Sequence, residues 1–200
     1  MLYRIRQYTM SSEELKEIGL AWALLSLAFA ILFTGRFAFS FAFILSFSFA
    51  AITVGVSFLC HELAHKVIAQ QYGCHAEFRA FKEMLIFAVL LSFTGIILAA
   101  PGAVFISGYV NRIASGKIAA AGPLTNLVLG VFFLLALVFY PGDFLRPLLH
   151  YGLSINAMLA LFNLIPFSLF DGAKIFLWDK QRWGAMIAIG IVLMFMAQVV

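Results

Sequence analysis

A chain of 200 residues has room for one domain around one sizeable core. Only 11% of it is charged and 64% is apolar, with a mean hydropathy of +1.04, whereas an ordinary soluble domain is about 25% charged. That balance excludes a soluble enzyme, a disordered chain and a nucleic-acid binder. The net charge of +4 reads instead as Lys and Arg gathered in loops on one side of a membrane. Cys60 and Cys74 are too few for a disulfide framework and read as free thiols.

Taken in order, Met10-Ser11-Ser12-Glu13-Glu14 reads either as a helix start at the membrane surface, with Ser11 as N-cap and Glu14 three residues on, or as a merely solvated N-terminal turn. Six charge-free runs follow: 18–35, 37–61, 84–111, 118–142, 147–170 and 183–200. A membrane helix needs about 20 apolar residues, so these predict six membrane-embedded segments in an all-α polytopic membrane protein. The first is not a cleavable signal peptide. Glu13, Glu14, Lys16 and Glu17 precede it, and Phe33-Thr34-Gly35-Arg36 closes it without a small-residue cleavage site. The Phe-rich stretch 37–49 reads as a lipid-facing helix. No internal repeat and no inserted soluble module is expected.

The second run ends in His61-Glu62-Leu63-Ala64-His65, an H-E-x-x-H motif. Residues i and i+4 share one helix face, so both imidazoles can bind one metal ion, while the glutamate beside them can reach a water without being a ligand. Ionisable groups at the end of a long apolar run default to function. The alternative is a helix that has already left the bilayer, with Glu62 and Lys66 as an exposed pair. A catalytic zinc needs a third protein ligand. His75 and Glu77 follow the Gly73 break and read as interfacial loop residues. His150 lies near the start of another segment. Asp171 stands straight after an apolar run broken by Pro166, and irregular backbone at membrane depth is tolerated only where it is buried or lines a cavity. Asp171 is therefore the better candidate. Ile68 and Gln71 occupy the places where a metzincin has its Gly and third His.

Three elements now stand in order: His61 to His65, Ala121-Gly122-Pro123-Leu124-Thr125-Asn126, and 163–172, ending Phe170-Asp171-Gly172. Together they resemble the site-2 protease family of intramembrane zinc metalloproteases, over a core of about 37–172. The resemblance implies one zinc ion held by His61, His65 and Asp171, with Glu62 activating water and Asn126 touching substrate or oxyanion. Asn126 can equally make an interhelical hydrogen bond, with Gly122 allowing close approach. Leu169 and Ala173 replace a Pro and a Gly usual in the third motif. The whole chain, 1–200, is expected to be a single membrane-embedded metalloprotease domain without a PDZ-like or CBS-like module. Its expected partners are the lipid bilayer and a transmembrane protein substrate, with no nucleic acid. A non-enzymatic membrane zinc protein, a transporter or sensor, is the rival reading, although such a protein has no need of Glu62.

For the two halves of the site to meet, the helices that carry them must run parallel, so the connection between Tyr72 and Lys117 can make no net crossing. It nevertheless holds an apolar run. A re-entrant hairpin over about 84–108 is predicted, with 84–98 entering as helix and 99–108 returning as a short β element. About 15 helical residues span ~22 Å and ten extended ones ~33 Å, so the lengths close. Pro101-Gly102 marks the turn. With a cytoplasmic N-terminus, eleven of the 13 Lys and Arg residues fall inside, and only Arg36 and Arg146 fall outside. That excess puts the opening of the site on the cytoplasmic face.

Overall fold

The computed structural model describes residues 9–35, 40–97, 100–167 and 170–200. Arg4, Arg6, Arg36, Phe37, Leu98, Ala99 and Leu169, each part of an expectation above, lie outside the described residues.

Helix α1 (Ser12–Thr34) begins as the first of these readings expects: the Ser11 side chain accepts from the Glu14 N–H. It ends on Gly35 at φ 67°, whose N–H returns to the Ile31 carbonyl, a left-handed closure that glycine adopts freely. A single 31-residue helical rod, Phe41–Gln71, carries the second apolar run. It consists of α2 (Phe41–Ala50), a π-helical stretch (Ala51–Gly55) and α3 (Val56–Gln71). At the π stretch the Trp22 indole N–H donates to the Ala51 carbonyl at 3.0 Å. A Cβ on Gly55 would lie 2.5 Å from the same ring. A wider turn and a missing side chain therefore let α1 lean against the rod.

Strand β1 (His75–Ala80) follows, then α4 (Lys82–Ser92) and β2 (Gly102–Ser107). The strands pair antiparallel from His75↔Ser107 to Ala80↔Gly102. The chain thus leaves the strand pair through α4 and returns to where it left, which is the hairpin geometry predicted for 84–108. The partner strand corrects one expectation: His75 and Glu77 belong to a strand. Its alternation places Ala76 and Phe78 inside and His75 outside. Two carboxylates from the first turns of α1 close its other edge. Glu14 accepts from the Phe78 N–H at 2.9 Å and Glu17 from the Ala80 N–H at 3.0 Å. Buried backbone donors must find partners, and these two take side-chain oxygens in place of a third strand.

Helix α5 (Arg112–Phe139) starts on an Asn111 cap and contains Pro123. Then come α6 (Arg146–Asn163), a break at Pro166, α7 (Asp171–Trp178) and α8 (Lys180–Val199). Pro166 cannot continue a helix, and the Leu164 carbonyl left over at the end of α6 accepts the Trp183 indole N–H at 2.8 Å. Asp171 is therefore the first residue of a new short helix rather than the last of the apolar one. Likewise α3 runs six residues beyond His65 before it ends.

Contacts fix the helix directions. His65 meets Ile118 while His61 meets Asn126, so α3 and α5 are antiparallel. Asn126 meets Asn156, and Phe133 lies against Gly152, so α5 and α6 are antiparallel too. Helices α3 and α6 consequently run the same way, as the parity argument requires. One apolar core lies among α5, α6, α7 and α8, and a second joins α1, α3, β1 and α4.

Among the described residues, four helical segments are long and apolar enough to cross a membrane: Ser12–Thr34, Phe41–Gln71, Arg112–Phe139 and Lys180–Val199. Phe41, Phe132, Phe139 and Phe195 stand exposed on them, which suits lipid and not water. The protein is a membrane protein by this measure. The other two runs of the six behave differently. Run 147–170 gives α6, which carries Arg146, His150, Asn156 and Asn163, and run 84–111 gives an 11-residue helix and a strand.

The paired strands make the connection between α3 and α5 start and finish at one end of the bundle. Single cysteines replacing Arg79 and Arg112, in a background without Cys60 and Cys74, are expected to react with an impermeant thiol reagent from the same face of oriented vesicles. Labelling from opposite faces would contradict this topology.

Candidate active site

The site is assembled from two stretches 106 residues apart in the chain. His61 and His65 sit one turn apart on α3, and Asp171 opens α7. His61 Nε2 lies 3.4 Å and His65 Nε2 3.1 Å from the same Asp171 oxygen, and the two Nε2 atoms are 3.0 Å from each other. Both imidazoles are buried, and Asp171 is half-buried. Among the described residues, these three form the one group of His, Cys, Asp or Glu side chains close enough together to share a metal ion.

The outer nitrogens are already engaged. His65 Nδ1 lies 2.8 Å from the Ile118 carbonyl, and His61 Nδ1 lies 2.6 Å from Asn126 Oδ1. A carbonyl oxygen can only accept, so each Nδ1 carries the ring's proton and each Nε2 of the neutral imidazole offers a lone pair. With both rings neutral, two such lone pairs and a carboxylate oxygen point at one another. Without a cation between them this arrangement is repulsive, and with one it is a ligand set. Two imidazoles and one carboxylate are also a donor set that suits zinc and leaves a position open. The residues therefore fit the metal that the motif implies.

Glycines shape the pocket. A Cβ on Gly122 would stand 2.3 Å from His65 Nε2 and 2.5 Å from His61 Nε2, so α5 approaches the imidazoles only as bare backbone. A Cβ on Gly172 would meet the Leu164 carbonyl at 2.2 Å, so the turn that presents Asp171 closes tightly on the end of α6. Pro123, with no N–H, leaves the Ala119 carbonyl without its helical donor and loosens the turn that offers Ile118 to His65.

Glu62 lies outside the triad of ligand atoms. Its carboxylate accepts from the Val104 N–H on β2 at 3.1 Å. It lines, with His61, His65 and Asp171, a cavity of about 690 Å³ bounded by α1, α3, α5, α6, α7 and the segment that leads into and forms β2. Asn126 does not line that cavity. It is fully buried, and its amide nitrogen donates to Ser57 O and Asn156 Oδ1.

The other candidates lie elsewhere. His75 is on β1, and Glu77 pairs with Ser11 and Arg79. His150 Nε2 is held by the Ala197 carbonyl at 2.7 Å. Cys60 and Cys74 are free thiols. The exposed Glu62–Lys66 pair weighed above is not found: Lys66 is buried and bonded to Glu14, which is buried as well. Reading the sequence missed Glu14, Ser57 and Asn156 as parts of the site's frame. Their signal was faint, since the partner of each lies 30 or more positions away in the chain.

Two proteins of Methanocaldococcus jannaschii are similar to this chain. One, named "Putative zinc metalloprotease", is 45% identical over 143 residues, covering 70% of this chain and 75% of that protein. The other, named "Zinc metalloprotease", is 30% identical over 125 residues, covering 62% of this chain and 32% of its own length. No family model and no solved structure matches the chain.

Gly122→Ala tests the geometry of the pocket. Alanine favours a helix interior over glycine by about 0.5–1 kcal/mol, while crowding the two imidazoles costs about 1–3 kcal/mol, so the thermal midpoint should fall by a few degrees and the fold should persist. The new methyl group takes the space next to both Nε2 atoms, so zinc content should fall to near zero. Full zinc occupancy in this variant would contradict the arrangement.

Proposed function

The chain belongs to a zinc metalloprotease family, and we propose that it is an intramembrane endopeptidase of the site-2 type, which cuts a transmembrane protein substrate in or near its membrane helix. The observation that carries this reading is the meeting of His61, His65, Asp171 and Glu62 around one cavity within a bundle of membrane-length helices. A peptide bond that enters such a cavity is reached from the lipid side, while the polar lining gives water a place to stand.

The residues divide the work. His61, His65 and Asp171 hold one zinc ion per chain. Zinc bound there supplies the Lewis acidity that makes water nucleophilic at neutral pH and polarises a carbonyl. The Glu62 carboxylate takes the proton from the attacking water and delivers it to the leaving amine. The described walls, with Phe58, Phe162 and Phe170 among them, keep lipid from the reacting groups.

A helical substrate must unwind before its carbonyls can react. Strand β2 offers a template. One edge pairs with β1, and the other carries Val104, whose N–H points away from the ladder toward Glu62. Gly102, Val104 and Ile106 line the cavity, so an unwound segment can add to this edge as a further strand. Helix α6 and the α4–β2 hairpin complete the membrane-embedded set of six. The charge asymmetry supports a cytoplasmic N-terminus and a cytoplasmic mouth of the site. The described residues suit a single proteolytic domain.

Glu62→Gln keeps the size of the side chain and removes its basicity. Purified variant assayed on a transmembrane substrate should retain its zinc and its fold and lose about 10²–10⁴-fold in kcat, the usual cost of removing a general base. Retention of more than about a tenth of the wild-type rate would contradict the role given to Glu62.

A further inference from the structure

Behind His61 lies a polar cluster that the hydrolysis above does not use. Ser57, Asn126 and Asn156 come from α3, α5 and α6, and none is more than 1% exposed. Burying two amides and a hydroxyl among apolar helices costs free energy unless every group is paired, and here every one is. Asn156 Nδ2 donates to the Gly152 carbonyl at 2.8 Å and to Ser57 Oγ at 2.7 Å. Asn126 Nδ2 donates to Asn156 Oδ1 at 3.0 Å and to the Ser57 carbonyl at 3.2 Å. Asn126 Oδ1 faces His61 Nδ1 at 2.6 Å.

The chemistry of these bonds runs in one direction. The Gly152 carbonyl only accepts, so the Asn156 atom facing it is the nitrogen. The Asn156 oxygen must then face Asn126, which turns the Asn126 nitrogen toward it. The Ser57 carbonyl, also an acceptor only, demands the same. What remains for His61 is the Asn126 oxygen, so the His61 proton must sit on Nδ1. A flipped Asn126 amide would present N–H to Nδ1, move the proton to Nε2 and close the lone pair that faces His65 and Asp171. Both forms of the ring are neutral; only one can be a ligand through Nε2.

We propose that Asn126, backed by Asn156 and the Ser57 carbonyl, is a tautomer lock, and that both asparagines are positioning residues which keep His61 Nε2 unprotonated and aimed at the metal position. The proposal rests on the zinc site of the preceding section and gives Asn126 a task distinct from contact with an oxyanion. Partners on the far nitrogen of a ligating histidine are worth about 10–100-fold in metal affinity. His65 is locked without a side chain, by the Ile118 carbonyl, which a flip cannot reverse.

The test uses full-length protein in detergent with ¹⁵N-labelled histidine, and measures zinc affinity by chelator competition and the tautomer of metal-free His61 by its nitrogen shifts. Wild type should show His61 protonated at Nδ1. Asn126→Leu should lose about 10–100-fold in zinc affinity. Asn126→Asp should hold its affinity, because a carboxyl oxygen facing Nδ1 still accepts. Asn156→Leu should lose about fivefold, the worth of one neutral hydrogen bond, with a share of His61 now protonated at Nε2. Asn126→Asp added to Asn156→Leu should restore both readings, because a carboxylate has no N–H to turn toward the ring. Wild-type His61 protonated at Nε2 and not at Nδ1 would overturn the proposal. So would an Asn156→Leu variant with unchanged affinity and tautomer, or a loss that Asn126→Asp does not repair, since that would mark a packing role only. A wild-type protein that takes up no zinc would refute the zinc site itself, while the tautomer of its metal-free form still decides the lock.

Discussion

Everything in this structure is arranged around three electron-rich atoms that would not approach one another unaided. His61 Nε2, His65 Nε2 and an Asp171 oxygen lie 3.0–3.4 Å apart, and with Asn126 and the Ile118 carbonyl on the outer nitrogens the neutral rings turn lone pairs toward one another. Such a cluster is a fixed debt of repulsion that a dication cancels. The helices that supply it must therefore be held rigidly by contacts elsewhere, and the glycines at 122 and 172 show how close the backbone has to come.

The frame is built from a few polar contacts that cross an apolar bundle. Glu14 bonds both Lys66, the residue after the second histidine, and the Phe78 N–H on β1. One buried carboxylate thus ties α1, α3 and the strand pair together. A buried ion pair is weak evidence for net stability, but breaking one by removing a single partner is costly, about 3–5 kcal/mol, so its service is to fix position. Glu17 secures the next strand N–H, at Ala80. With β1 closed on that side by α1, the free edge left to the two-stranded sheet is the β2 edge that faces Glu62 and the cavity. Order on the α1 side of the sheet thereby sets which backbone donors a substrate can reach.

How much of this was legible depended on the range of each interaction. The H-E-x-x-H motif is local: its five residues determine a shared helix face, and reading them as one site needed no fold. Asp171 was legible as a carboxylate following a helix break, but not as the opening residue of α7, because the closing turn depends on Gly172 packing against Leu164. The hairpin 84–108 followed from parity and chain length. Its partner strand did not, because the alternation in His75-Ala76-Glu77-Phe78-Arg79 spans few residues, and its outer edge is satisfied by carboxylates more than 60 positions away. Of the six apolar runs, four make membrane-length apolar helices among the described residues, while run 84–111 gives the α4–β2 hairpin and α6 spends part of its length on the polar groups that brace the site. That Asn156 lies one bond behind Asn126, the partner of His61, is a fact of three helices meeting.

The coordination shell tests the account most directly. Zinc K-edge absorption on the purified, zinc-loaded protein should show two imidazole nitrogens and carboxylate oxygen at about 2.0–2.2 Å, with no sulfur. In Asp171→Ala the protein should fail to retain the metal at equal free zinc. A sulfur neighbour at about 2.3 Å, placing Cys60 or Cys74 on the metal, or an unchanged shell in Asp171→Ala, would contradict the assignment from which the proposed protease mechanism follows.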